Sequence, residues 1–180
     1  MSTFNLTKGQ SRFVVQAFAE GVLSTFAHNP KLAIRDFSGH IDFDPEASTP
    51  AKLDVTVRAT GLDVQDDVSQ KDRQEIEQKT RESLESDRFP EITYHATAAN
   101  VTKVGDNRYR AQFDGQLSLH GVQKNLRLDL QLNSSGSNLR LQGEFNMRLS
   151  DYRINRVSAL AGAIRVKDEL KFSLDVVARP

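Results

Sequence analysis

The stretch of sequence that decides the fold is the run Leu139-Arg-Leu-Gln-Gly-Glu-Phe-Asn-Met-Arg-Leu149, in which apolar and polar positions alternate. The same period of two appears in Leu126–Leu132, Leu53–Ala59, Phe113–Leu119 and Leu170–Val176. Because successive side chains of a β-strand point to opposite faces, each run has one apolar face and one polar face. Buried parallel strands are apolar on both faces, so the alternation predicts an antiparallel sheet.

Short breaker sequences separate these runs and divide the chain into about eight strands. Turns are predicted at Gly105–Asn107, His120–Gly121 and Asn133–Asn138, so four consecutive strands from about residue 92 to residue 149 form a meander. Two or three strands precede residue 60, and one or two follow residue 155. The longest runs reach ten or eleven residues, whereas sandwich strands usually have about five to six, so their length favours an up-and-down barrel.

One segment, Ser69–Ser86, lacks the alternation and is rich in Glu, Lys, Arg and Gln, which favour helices. Ser69 followed by Asp72 is typical of a helix N-terminus. Ile76 and Leu84 fall at helical spacing and give the helix a thin apolar stripe. The sequence therefore predicts an all-β domain with one or two short helices, the main one lying over the sheet.

The composition excludes several classes of protein. The chain has 180 residues, with 24 Lys and Arg against 24 Asp and Glu, and no cysteine. This length fits a single domain over residues 1–180. Zero net charge argues against nucleic-acid binding, which needs a basic face to displace counterions from phosphates. Without cysteine, the chain has no thiol nucleophile, thiolate zinc site or iron–sulfur cluster. We therefore expect no nucleic-acid partner and no thiolate metal site, and since no EF-hand loop, phosphate loop or dinucleotide fingerprint is found, we expect no other metal or cofactor.

The N-terminal residues lack the basic and apolar regions of a signal peptide. The sequence as it stands therefore predicts a cytoplasmic protein, or a periplasmic one if an export leader has been removed. The longest nearly apolar stretch is Val157–Ile164, far shorter than the roughly 20 residues that span a bilayer. No transmembrane segment is expected.

The side chains predicted to face inward are almost all aliphatic or aromatic, with no aspartate or glutamate clearly among them. Such an interior is either a packed core or a site for a hydrophobic ligand, and periodicity favours neither. We expect no catalytic residue. His40 and His95 fall on the polar side of their strands and His120 lies in a turn, so all three are expected to face solvent. His28 lies in a loop close to Pro30, and the sequence is compatible with an ordinary turn histidine or with a side chain at the mouth of a barrel.

Three glycines, Gly39, Gly115 and Gly143, fall in phase with the apolar face, where each leaves a side chain missing. Glycine inside a strand usually marks a bulge, a barrel bend or a close approach of backbone. The sequence therefore favours bends at these positions over space left for a ligand.

Two stretches, Phe89-Pro-Glu-Ile-Thr-Tyr-His-Ala-Thr97 and the hairpin Gly115–Lys124 with its His-Gly turn, are more specific than the alternation. Both resemble segments of the YceI-like family, bacterial lipocalin-like proteins that bind polyisoprenoids. Phe37–Asp44 resembles its early strand pair. Asp151–Ile154 is similar to a late element, with Arg153 in place of a glycine. The order and spacing of these segments match over essentially the whole chain.

The resemblance implies an extended eight-stranded antiparallel lipocalin-like β-barrel, partly covered by the helix. Its lumen would hold an isoprenoid or lipid-like small molecule. The residues expected to contact the apolar chain are Phe13, Val15, Phe26, Phe37, Phe43, Tyr94, Leu117, Leu119, Phe145 and Met147. His28 and Tyr152 are the candidates for contact with a polar head group at the mouth.

Ligand binding, with transport or storage, is the leading hypothesis, and two alternatives stay open. A small-molecule enzyme in the same barrel would need a titratable group facing the lumen, for which His28 is the candidate. A packed barrel would instead act as a stress-related interaction domain. An exposed edge strand would also allow a homodimer, although no residue demands one.

Overall fold

The computed structural model describes residues 1–22, 27–46 and 50–180, apart from the side chain of residue 160. The strands within these ranges are β1 (Ser2–Gln16), β2 (Ala19–Glu20), β3 (Lys31–Ile34), β4 (Phe37–Phe43), β5 (Lys52–Arg58), β6 (Leu62–Val64), β7 (Glu91–Gly105), β8 (Arg108–Leu119), β9 (Val122–Ser135), β10 (Asn138–Arg148), β11 (Ser158–Ala159), β12 (Ile164–Val166) and β13 (Glu169–Arg179). The helix α1 covers Gln70–Ser83, and short 3₁₀ turns cover Leu149–Tyr152 and Leu160–Gly162.

Eight of these strands close into an antiparallel barrel, which confirms the predicted fold. Their order around the wall is β1, β4, β5, β7, β8, β9, β10 and β13, and β13 pairs with β1 to complete the circle. The early part of β1 pairs with β4, whereas Val14–Gln16 pair with β3. Strand β6 pairs with β3 and widens this part of the wall. The short strands β2, β11 and β12 form a separate three-stranded sheet.

The predicted meander from β7 to β10 is confirmed by continuous hairpin pairing. At the turn between β8 and β9, Gly121 has a φ of 72°, a conformation that favours glycine. The predicted turn at 133–138 is shorter than expected, because β9 continues to Ser135 and β10 begins at Asn138.

The predicted helix is confirmed and begins one residue after Ser69, whose hydroxyl accepts the backbone N–H of Asp72 at 3.1 Å. Ile76 and Leu84 pack against the core. A polar contact also holds the helix in place. The Arg73 guanidinium donates a hydrogen bond to the backbone carbonyl of Val64, in the edge strand β6. The helix therefore covers a free strand edge as well as the end of the barrel.

The two ends of the barrel are filled differently. At the end away from α1, the side chains of Ile41, Phe113, Leu132 and Leu139 are at most 1% exposed, and none of them lines the large cavity. The other end, below α1, contains a cavity. The sequence left packed core and cavity as alternatives, and the structure contains both, one above the other.

Candidate ligand-binding cavity

The cavity has a volume of about 450 Å³, within the range of roughly 300–1,000 Å³ that is common for small-molecule sites. Its wall is built from the inward side chains of the barrel strands. Tyr94 is the one ionisable side chain that the described barrel strands contribute to this wall. The wall also includes Leu6, Leu53, Val55, Val57, Ile92, Leu126, Leu128, Leu130, Leu141, Leu170, Phe172, Leu174 and Val176.

The rim of the cavity carries charged side chains, which the described wall lacks, among further apolar ones. The rim is formed by α1, by residues 27–30 and by the small sheet of β2, β11 and β12. On α1, the Lys79 ammonium pairs with the Glu75 carboxylate at 2.7 Å. On β12, the Arg165 guanidinium pairs with the Glu20 carboxylate at 3.0 Å. An amphiphile in this cavity would have its apolar chain inside and its polar end among these charges.

Most of the residues predicted to contact a ligand line the cavity. Seven of the apolar candidates line it, namely Phe13, Val15, Tyr94, Leu117, Leu119, Phe145 and Met147. The rings of Phe145 and Phe172 stack in parallel with their centroids 4.7 Å apart. His28 is exposed and lies on the rim. Contact between these residues and a ligand stays a prediction.

Two apolar candidates, Phe37 and Phe43, are buried but do not line the cavity. Phe37 packs edge-on against Phe13, with the ring centroids 6.1 Å apart. Phe43 packs against Tyr109 at 5.2 Å, at the closed end of the barrel. Both side chains face inward as expected, but facing inward does not determine depth along the barrel axis. A third candidate, Phe26, lies outside the described residues.

Tyr152 was expected at the mouth, but its side chain is 3% exposed and does not line the cavity. Burial raises the pKa of its hydroxyl, and the negative charge of Asp151 adds to the effect. Its backbone carbonyl lies 3.0 Å from Nδ1 of His120. The structure therefore removes Tyr152 from the candidates for a head-group contact.

His120 was expected to face solvent, and this prediction is wrong, because its side chain is only 10% exposed. Its Nε2 lies 2.5 Å from Oε2 of Glu85, and its ring packs edge-on against Phe89. Glu85 follows the C-terminal end of α1, so His120 fastens this end of the helix to the barrel. The predictions for His40 and His95 are confirmed, since both lie on the outer face and share Asp54.

Several wall residues were missed although the sequence contained their signal. Leu126, Leu128 and Leu130 alternate in phase with Leu117 and Leu119 across the β8–β9 hairpin. The same period of two that identifies the strands therefore identifies these leucines. The rim residues of β11 and β12 gave no such signal, because strands of two or three residues are too short for alternation to be recognised.

Tyr94 crosses the inner surface of the wall at Gly115. A Cβ atom on Gly115 would lie 2.6 Å from Cζ of Tyr94, so glycine is what allows the ring to lie there. The Tyr94 hydroxyl donates to the carbonyl of Leu126 at 3.0 Å. Burial raises the pKa of the Tyr94 hydroxyl, and the negative charge of Asp114 adds to the effect.

The Tyr94→Phe variant is expected to lower the free energy of unfolding by about 1 kcal/mol near neutral pH, since one buried hydrogen bond is lost. Because the raised pKa keeps folded Tyr94 protonated, its contribution is fully present below about pH 10 and decreases at higher pH. Urea unfolding between about pH 8 and pH 11 should therefore show a shallower alkaline loss in Tyr94→Phe than in the wild type. An identical alkaline slope in both proteins would contradict this assignment.

No helix within the described residues is long and apolar enough to cross a membrane.

The model of a known family, the YceI-like domain, matches residues 4–178 and confirms the resemblance found in the sequence. No curated protein matches the chain.

Several solved structures share the fold, and three of them follow in order of TM-score. BcnA from Burkholderia cenocepacia is 14% identical with a TM-score of 0.71, over 96% of this chain and 98% of that one. A polyisoprenoid binding domain from Saccharophagus degradans is 11% identical with a TM-score of 0.70, over 98% and 97%. The YCEI protein of Campylobacter jejuni is 19% identical with a TM-score of 0.64, over 86% of each chain.

Proposed function

The chain belongs to the YceI-like family, and on that basis we propose that it binds an isoprenoid or another lipid-like amphiphile in the cavity of its barrel. The observation that carries the proposal is the contrast between an apolar wall and a charged rim. The likeness to a barrel described as a polyisoprenoid binding domain supports the choice of ligand class.

An apolar wall suits a long hydrocarbon chain because the gain in free energy accumulates along its length. Each CH₂ group removed from water contributes about 0.8 kcal/mol, without any polar contact. Specificity for the polar end of the ligand would come from the rim, where His28 and the pair of Lys79 and Glu75 lie.

The cavity wall favours holding a ligand over converting it. General acid–base chemistry needs a positioned group that exchanges a proton near neutral pH. Within the described barrel strands, Tyr94 is the one ionisable side chain on the wall, and its hydroxyl already donates to the carbonyl of Leu126. We therefore infer a role in carrying or storing the ligand.

Native mass spectrometry of protein purified without delipidation tests the proposal. The wild type should retain an apolar molecule that organic extraction releases. Leu117 lines the cavity, so Leu117→Trp should occupy part of the cavity and reduce the bound fraction about tenfold or more, which corresponds to at least about 1.4 kcal/mol.

Gln116→Trp is the matched control, because Gln116 precedes Leu117 on β8 and is exposed on the outer face. It should leave the bound fraction unchanged. Wild-type protein that carries no apolar molecule and takes none up from isoprenoid micelles would overturn the proposed function. Equal losses in the two tryptophan variants would remove the cavity as the binding site.

A further inference from the structure

The apolar stretch Val157–Ile164 forms part of the cavity rim, and its charged surroundings suggest a partner for this face. Strand β12 pairs with β11 on one side and with β2 on the other. Val157, Ala159 and Ile164 line the mouth, whereas Ala161 and Gly162, at the tip of this segment, are exposed. The tip of this segment is therefore open to solvent.

A second apolar side chain lies beside this tip. Gly21, the residue after β2, is so close to the β11–β12 connection that a Cβ atom on it would overlap the carbonyl of Ala163. The next residue, Val22, is 87% exposed, more than any other large hydrophobic side chain that the structure describes. We call Val22, Ala161 and Gly162, the exposed residues next to this close approach, the rim tip.

The segment that contains Ala161 and Gly162 is basic, although the whole chain has zero net charge. Residues 148–168 contain the bases Arg148, Arg153, Arg156, Arg165 and Lys167, but only the acids Asp151 and Asp168. Of these bases, Arg156 and Arg165 share the carboxylate of Glu20, at 2.6 and 3.0 Å.

Arg153 and Lys167 are exposed and have no carboxylate within 4.0 Å among the described residues. Arg153 also has a φ of 55°, a conformation that favours glycine over a side chain such as arginine. The positive charge at this position is thus present despite an unfavourable backbone conformation.

We infer that the rim tip, together with the exposed bases Arg153 and Lys167, docks the mouth of the barrel onto a bilayer that contains anionic lipids. The arrangement combines the two contributions on which such binding depends, apolar side chains that enter the interface and cations that attract anionic head groups. Docking in this orientation places the mouth of the apolar cavity against the lipid. The inference adds a lipid bilayer as a partner. It rests on the proposed function, because docking has a purpose only if the cavity holds a lipid-like ligand.

Co-sedimentation with sonicated vesicles tests the inference, using vesicles of one-third phosphatidylglycerol in phosphatidylcholine and vesicles of phosphatidylcholine alone. The wild type should bind the anionic vesicles more tightly, and added salt should weaken the binding. Each exposed base contributes about fivefold, so Arg153→Gln with Lys167→Gln should weaken partitioning about 25-fold. Val22→Asp should weaken it further, because a charge then replaces the inserted side chain.

Matched variants at the far end of the barrel serve as controls. Lys103→Gln with Arg110→Gln removes two exposed bases from the β7–β8 hairpin, and Val104→Asp replaces a valine that is 56% exposed. These variants should bind vesicles like the wild type. All the positions are exposed, so a thermal melt followed by circular dichroism should show that each variant folds.

Vesicle binding that is absent, that does not depend on anionic lipid, or that is lost equally in the far-end variants would overturn the inference. Self-association without vesicles that Val22→Asp abolishes would identify a second copy of this chain as the partner instead. The failure of this proposal is separable from that of the proposed function, because vesicle binding is measured whether or not the cavity carries a ligand.

Discussion

Phe113→Ala is expected to lower the free energy of unfolding by about 3–5 kcal/mol, the range for a large aromatic side chain removed from a packed core. Phe113 is 0% exposed and lies at the closed end of the barrel, outside the cavity. The ring of Phe113 is fully enclosed by protein, so truncation to alanine creates a new void. Urea unfolding at constant pH measures the loss.

Phe145→Ala removes the same ring from the open end, and a loss of only about 1–2 kcal/mol is expected there, mainly from the stacking with Phe172. Phe145 is half-buried and already borders empty space. This variant should instead weaken ligand retention. Equal losses of stability in Phe113→Ala and Phe145→Ala would show that the two ends are packed alike and that the cavity is closed.

Gly39→Ala is expected to cost about 2–4 kcal/mol, because two unfavourable effects combine at this position. Gly39 has a φ of 153°, which side chains rarely adopt. A Cβ atom there would also overlap the carbonyl oxygen of Asp54 on the paired strand β5, and a backbone atom cannot move aside as a side chain can.

Gly9→Ala is the control for Gly39→Ala, since a Cβ atom on Gly9 would meet no atom within 4 Å. Its effect should stay within about 0.5 kcal/mol of the wild type, as for most surface substitutions. Thermal or urea unfolding of both variants makes the comparison. A neutral Gly39→Ala would show that β4 and β5 do not approach as closely as the structure indicates.

The architecture was predictable because the barrel strands are long enough to repeat their alternation several times. Strand β10 shows five apolar positions in phase between Leu139 and Met147, counting Gly143, and such a repeat has few other structural meanings. The helix was predictable for a related reason, since its N-terminal cap at Ser69 depends on neighbouring residues alone. The short strands β3 and β6 were not, because three or four residues carry no recognisable period.

The residue types of the cavity wall were predictable from the sequence, but the position of each residue along the barrel axis was not. Alternation separates inward from outward side chains, and Leu117 and Met147, which it places inward, line the cavity. It contains no information about position along the barrel axis, which explains why Phe43 was assigned to the lumen although it packs at the closed end. That difference depends on the stagger between strands distant in sequence.

His120 illustrates a second limit. Its position in a turn indicates exposure, as for most turn residues. The turn is instead covered by Phe89 and by Glu85, which comes 35 residues earlier in the sequence. Contacts of this kind depend on where α1 ends relative to the barrel, and no local pattern specifies that placement.

The most direct test of the central claim is the electron density inside the barrel of crystals grown from protein that has never been delipidated. We predict elongated density that runs from Leu130 and Leu141 towards the mouth near His28, with no protein side chain crossing it. A cavity filled by its own side chains, or one that contains only ordered water hydrogen-bonded to the wall, would contradict the account.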